Sequence, residues 1–228
     1  MDIVYVNRDG DNPELRYSLR TLKNVTHDNV WIFGGVPHWI NTDAVYYRKR
    51  TQAGSAYRSV REHIAAACNT PQVSDPFLLW NDDFYAMDRV GDVPIMHRGS
   101  MDDMLEKFAN LKTGWSKALI DTAHILSCYE VEDPVSYDLH VPLIVYKAEM
   151  RTALRIAGRA KSDAIHLRTI YGNIANLGGF EIEDPKLMKR SGPFPTGPWL
   201  SSGDDTFRST VEPVLRYLFP EPSIYEKG

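Results

Sequence analysis

The sequence predicts an α/β fold in which a mostly parallel central sheet is flanked by helices, with a more helical C-terminal part. Three observations predict it. Short apolar runs alternate with amphipathic helical stretches over residues 1–90, the pattern of a layered α/β domain. Those runs are continuously apolar, as strands covered on both faces read. Several end in polar or Gly-bearing loops, the usual ligand side of such sheets.

Taken in order, Ile3–Val6 is a short apolar run that breaks at Asn7-Arg8-Asp9-Gly10, a buried strand entering a polar loop. Asn12 then stands where a helix N-cap is needed, Pro13 at the first helical position and Glu14 at the positive end of the dipole. Leu15, Leu19 and Leu22 follow at helical spacing. Val30–Phe33 is a second strand closed by Gly34-Gly35, and Ala44–Tyr47 a third. Residues 55–67 form an amphipathic helix with Tyr57, Val60, Ile64 and Ala67 on one face. Phe77–Trp80 is a fourth, central strand that runs directly into Asn81-Asp82-Asp83.

Beyond residue 90 helical periodicity dominates. Ser100–Asp103 looks like a capping box for a helix carrying Met104, Phe108 and Leu111. Another helix covers 117–127. Residues 141–146 read as a strand, placed at an edge by Pro142. Helices return over 150–157, 165–177 and 207–218. The Pro-, Gly- and Ser-rich stretch 189–203 reads as a loop. No internal repeat is present.

The 228 residues suit one domain with a sizeable core. With 43% hydrophobic and 25% charged residues the bulk of the chain is not disordered. A net charge of −4 lacks the basic excess of proteins drawn to nucleic acid or anionic membranes. The densest basic patch is Tyr46-Tyr47-Arg48-Lys49-Arg50, which Arg58 and Arg61 could extend into a rim. Tyr46, Tyr47 and Trp199 are either stacking surfaces or core aromatics. Cys68 and Cys128 have no metal-ligand spacing and read as two buried, reduced thiols. No apolar stretch approaches the ~20 residues of a membrane span, and no signal peptide is expected. P-loop, G-x-G-x-x-G, H-E-x-x-H and G-x-S-x-G signatures are absent.

Four stretches carry candidate chemistry. Asp82 and Asp83 form adjacent carboxylates just past a buried strand. A hard divalent cation, Mn²⁺ or Mg²⁺, would neutralise them and share the oxygens of a diphosphate. In Asp138-Leu139-His140 the two polar side chains share a face if the backbone is extended, and His140 offers a metal ligand from the far half of the chain. The first loop, Asn7 to Asn12, lies where an α/β enzyme grips a nucleotide. Ser201–Asp205 opens a helix whose backbone N–H groups could hold an anion, or where one Asp serves as N-cap.

The order of these pieces resembles the Stealth-type capsular polysaccharide transferases. The resemblance lies in Asp2–Gly10 with Asn12–Leu22, in the Val36-Pro37-His38-Trp39 turn, and in the strand ending Leu79-Trp80-Asn81-Asp82-Asp83. Small glycosyltransferase-like proteins of actinobacterial phages are similar also at Asp138–Pro142, Arg168–Asn173 and Phe219–Ser223. What the resemblance implies is a single GT-A-like, Rossmann-like domain over 1–228, with a nucleotide-binding half (1–90) and an acceptor-side half (91–228). It would be a metal-dependent glycosyltransferase, in the host cytoplasm if phage-encoded.

The Asn-Asp-Asp would stand in for an Asp-x-Asp motif. Asp83 and His140 would bind Mn²⁺ or Mg²⁺, and Asn7, Arg8, Asp9, Arg16, Asp82 and Arg168 would hold the sugar nucleotide. One of Asp138, Asp204 and Asp205 would deprotonate an acceptor hydroxyl of a protein, a modified DNA base, a glycan or a small molecule. The chain lacks the large flanking regions of the Stealth proteins and has Asn7-Arg8 where they carry Trp-Val. These departures favour glycosyl transfer over sugar-1-phosphate transfer, which stays as one alternative. A catalytically silent glycan- or nucleotide-binding protein is the other.

Overall fold

The structure, a computed structural model, describes residues 1–49, 54–189 and 192–227. Its central sheet is built from β1 (Ile3–Asn7), β2 (Val30–Gly34), β3 (Tyr46–Lys49), β4 (Phe77–Asn81) and, beyond the short β5 (Phe84–Ala86) and β6 (Met96–His97), β7 (Leu143–Val145). The order is β3-β2-β1-β4-β7. The first four strands run parallel, and β7 closes one edge antiparallel to β4. The α/β class with a mostly parallel sheet is therefore the one observed.

Because strand side chains alternate between faces, β1 feeds two cores. Ile3 and Tyr5 join the leucines of α1 (Pro13–Thr21), while Val4 and Val6 join α2 (Ala56–Cys68), α5 (Lys147–Ala157) and α6 (Leu167–Ile174). This two-sided cover is why the strands read as unbroken apolar runs. Asn12 caps α1 as its sequence predicts, its side chain accepting from the Leu15 N–H at 3.2 Å. Burial of Leu15, Leu19 and Leu22, roughly 2 kcal/mol each, outweighs the ~1 kcal/mol of such a cap. In chain order α3 (Met101–Phe108) and α4 (Gly114–Cys128) come between β6 and β7, and they pack on each other.

Several elements differ from the sequence reading. β3 begins two residues late because Val45 is buried in the core, while the exposed Tyr46–Lys49 pair with β2. Arg50 lies outside the described residues. Tyr46 stacks on Trp31 at 4.5 Å, whereas Trp199 is a core aromatic. Leu111 sits exposed in a 3₁₀ turn rather than on the α3 face. α4 starts at Gly114, where Thr113 and Ser116 form a reciprocal capping box. Cys68 is buried, but Cys128 is exposed.

The largest correction concerns the stretch read as a loop at 189–203, of which 190 and 191 lie outside the described residues. It contains β10 (Trp199–Ser202), fully buried. This strand pairs antiparallel with β5 and parallel with β9 (Lys186–Leu187), which follows β8 (Phe180–Glu181). The chain then enters α7 (Asp204–Thr206), a π-helical turn over Phe207–Val211, and α8 (Glu212–Leu218). Among the described residues no helix is long and apolar enough to cross a membrane.

Candidate active site

A cleft of about 750 Å³ opens where β1 and β4 end. Side chains from both halves of the chain line it, including Arg8, Asp82, Asp83, Asp138, His140, Arg168, Lys186 and Asp204.

The first loop is held by amides. Asn7 donates to the Gly35 carbonyl at 2.7 Å, and Asn12 donates both to Asn7 Oδ1 at 2.5 Å and to Asp82 Oδ2 at 2.6 Å. The helix cap is thus also the strap between the loop and the carboxylate pair. Gly34 and Gly35 let the loop lie on the end of β2: a Cβ at Gly35 would sit 2.3 Å from the Arg8 carbonyl oxygen. Arg8 projects over the site. It pairs with Glu14 at 2.9 Å, approaches Asp82 at 3.7 Å and reaches Asp204 at 3.5 Å.

Asp82 is pushed up to about 6, first by burial and then by the adjacent Asp83 charge; the Asn12 hydrogen bond and Arg8 pull the other way. Asp83 accepts from Ser201 Oγ at 3.0 Å and pairs with Lys186 Nζ at 3.4 Å. The same ammonium lies 3.1 Å from His140 Nε2. On its other side, His140 Nδ1 is 3.0 Å from both Asp184 oxygens. One proton arrangement satisfies both nitrogens: Nδ1–H donates to Asp184 and Nε2 presents its lone pair to the ammonium. Burial acts to raise Asp184, but His140 and Arg98 outweigh it and hold the carboxyl below its ordinary range. Arg98 packs against the rings of Phe108 and Trp115.

Asp138 accepts from Trp115 Nε1 at 2.6 Å and lies 3.6 Å from His166 Nδ1. Burial alone would raise it; His166, His140, the Trp115 bond and Arg168 together bring it below the usual carboxylate range. Burial also depresses His166, leaving it neutral at pH 7, so the Trp115 bond and Arg168 carry the support there. Arg168 is itself lowered to about 10 by burial, against the pull of Asp138, Asp184 and Asp83, and donates to the Val141 carbonyl.

Of the residues singled out in the sequence, Asn7, Arg8, Asp82, Asp83, Asp138, His140, Arg168 and Asp204 line this one cleft. Asn7 spends its amide on the loop itself. Three are placed elsewhere. Arg16 is drawn away by Glu226 at 3.6 Å and lies over the Trp39 ring, so it is not a cleft residue. Asp9 and Asp205 are exposed and do not line the cleft; the first loop turns Asp9 outward, and Asp205 follows Asp204 around the helix start. Five participants were not legible: Glu14, Arg98, His166, Asp184 and Lys186. Asp184-Pro185-Lys186 was the one available signal, a charged pair around a proline where helical periodicity lapses.

No protein-family model matches the sequence, and no curated protein matches it. Among solved structures, the chain is similar to the galactosyltransferase LgtC in complex with donor and acceptor sugar analogues. That match has a TM-score of 0.51 and 10% identity, and covers 98% of this chain and 96% of that one. Mouse xyloside xylosyltransferase 1, in its apo form, is a looser likeness at TM-score 0.38 and 9% identity, over 99% and 96% of the two chains. At such identity the first match establishes the fold: a GT-A-like glycosyltransferase architecture.

Proposed function

We propose that the protein is a glycosyltransferase that moves a sugar from a nucleotide-diphosphate sugar to an acceptor hydroxyl with the help of Mn²⁺ or Mg²⁺. The observation that carries this reading is the convergence of Asp83, from the end of β4, and His140, from the far half of the chain, on one cation position within a GT-A-like cleft.

The donor set suits such an ion. A carboxylate oxygen and an imidazole nitrogen face one point, and Asp184 fixes the imidazole in the tautomer a metal requires. Two protein donors are what Mg²⁺ or Mn²⁺ use when water and phosphate oxygens complete the shell. Bound there, the ion would supply Lewis-acid stabilisation of the departing diphosphate. Arg8 and Lys186 add positive charge on the same side of the cleft. Asn12 keeps Asp82 turned toward the first loop, where it orients the donor.

Asp138 is the base this reading assigns. Unlike Asp204, whose side chain is 84% exposed and paired to Arg8, it is held inside the cleft by Trp115. It takes the proton of the acceptor hydroxyl as that oxygen bonds to the anomeric carbon. The bond from that carbon to the phosphate oxygen breaks, its electron pair leaving on the nucleoside diphosphate, as in an inverting transfer.

The test is incubation with a panel of sugar nucleotides and Mn²⁺, with the released nucleotide identified. Nucleoside diphosphate is expected; a monophosphate would instead indicate sugar-phosphate transfer. Asp83→Ala is expected to lose turnover by about 10²-fold or more with its unfolding temperature retained. Undiminished turnover in that variant would remove Asp83 from the mechanism.

A further inference from the structure

We infer that Lys186 is an exchangeable counter-cation whose ammonium holds the metal position in the ligand-free protein, making metal loading conditional on a diphosphate. This rests on reading Asp83 and His140 as the metal's protein donors.

The geometry sets up a competition. Lys186 Nζ lies 3.1 Å from His140 Nε2 and 3.4 Å from Asp83 Oδ2. A lone pair serves one partner at a time, so a divalent ion bound by His140 Nε2 displaces the ammonium. The other members are pinned. His140 is held by Asp184 through both its ring and its backbone N–H, and Asp83 by Ser201. The Lys186 backbone is fixed in β9, its N–H reaching Asp184 Oδ1 at 3.3 Å. Only the four-carbon side chain is left to move, and its ammonium is a compact charge on a flexible stem.

Displacement has two consequences. Without another ligand, the ammonium loses both contacts and is left, tethered, near a doubly charged ion, so the metal binds weakly. With a diphosphate in the cleft, the displaced ammonium finds anionic oxygens and the metal gains further oxygen donors. Metal and diphosphate then strengthen each other's binding, and linkage requires the effect to be reciprocal. Removing the Lys186 charge should tighten the metal in the absence of diphosphate and shrink the coupling between the two.

The experiment is titration of the full chain with Mn²⁺ alone, free Mn²⁺ being read by its electron paramagnetic resonance signal. It is repeated with inorganic pyrophosphate, corrected for the Mn²⁺ that pyrophosphate binds in solution. Lys186→Met is expected to bind Mn²⁺ at least about tenfold more tightly than the natural protein without pyrophosphate, and to gain less from its addition. Lys186→Arg keeps the charge and should stay weak. Lys186→Gln repeats the test should the Met variant fail to fold, with thermal unfolding as the check. Equal or weaker Mn²⁺ binding by the neutral variants, with measurable binding by the natural protein, overturns the exchange and leaves the metal reading standing. Absence of Mn²⁺ binding in every variant, with pyrophosphate present, removes the metal reading and this inference with it.

Discussion

Replacing Asp82 with Asn is expected to stabilise the protein at neutral pH, because the cleft holds a carboxylate where its surroundings disfavour one. Burial and the Asp83 charge push Asp82 up to about 6, whereas an aspartate in the unfolded chain titrates near 3.9. The folded state therefore holds this proton more tightly. The resulting stability is fully present below about pH 4 and is lost as pH rises through about 6. Above that, the folded chain carries a buried charge at a cost of about 3 kcal/mol, at 1.36 kcal/mol per pH unit. Asn has nearly the same shape, keeps an oxygen for the Asn12 amide and carries no charge. Arg8 loses one 3.7 Å partner, but its side chain is 44% exposed and keeps Glu14, so that loss is only about 0.5 kcal/mol.

The net gain is then about 2–3 kcal/mol at pH 7.5, or roughly 5–10 °C in unfolding temperature for a chain of this size. It should shrink toward zero at pH 4, where the natural Asp82 is protonated as well. Thermal unfolding of both proteins across pH 4–8 measures it. A variant less stable at pH 7.5, or a difference that stays constant down to pH 4, refutes the reasoning. Stability gained at the expense of a destabilised functional group is a familiar trade, and donor binding by the Asn variant should weaken.

Two further outcomes are expected. Gly35→Ala places a methyl 2.3 Å from the Arg8 carbonyl oxygen and 2.7 Å from Asp9 Cα; it should cost about 1–3 kcal/mol in urea unfolding and weaken nucleotide binding, because the first loop must lift off β2. Trp115→Phe removes the 2.6 Å hydrogen bond that favours the Asp138 carboxylate. Hydrogen bonds to charged groups are worth about 1.5–3 kcal/mol, so Asp138 should rise by about one to two pH units. The acid limb of kcat/KM should move to higher pH with it, and a limb that stays put would count against Asp138 as the base.

How much of this was legible in the sequence follows the range of the interactions involved. β1, β2, β4 and α1 are specified locally, by unbroken apolar runs, a cap at Asn12 and leucines at helical spacing, and they appear where those signals place them. Val60 shows where local pattern misleads. It continues the apolar face of α2, yet it is 40% exposed and turns toward the cleft: a ligand wall and a core face have the same periodicity. β10 was read as loop because its Pro- and Gly-rich approach outweighs four residues of strand. Its burial comes from β5 and β9, which are 113 and 15 residues away at the paired positions Trp199–Ala86 and Ser201–Lys186 and meet it only in three dimensions.

The same distinction divides the cleft. The acidic pair and His140 stand out because each follows a strong local pattern, a strand end or an extended run. What makes their charges tolerable does not. Asp82 is met by Arg8, Asp83 by Lys186, Asp184 by Arg98, and Asp138 by the Trp115 indole and Arg168. Apart from Arg8, these partners come from the C-terminal half, from elements whose own periodicity says nothing about charge. A buried carboxylate without such a partner would simply hold its proton. The C-terminal half thus supplies the cation that meets Asp83, while Asp82 is met from the first loop, in both cases through side chains the β4 sequence cannot specify. An acidic strand end read in isolation names the position of chemistry, while the cations brought to it by the fold decide whether that position is a metal site, a base or a buried acid.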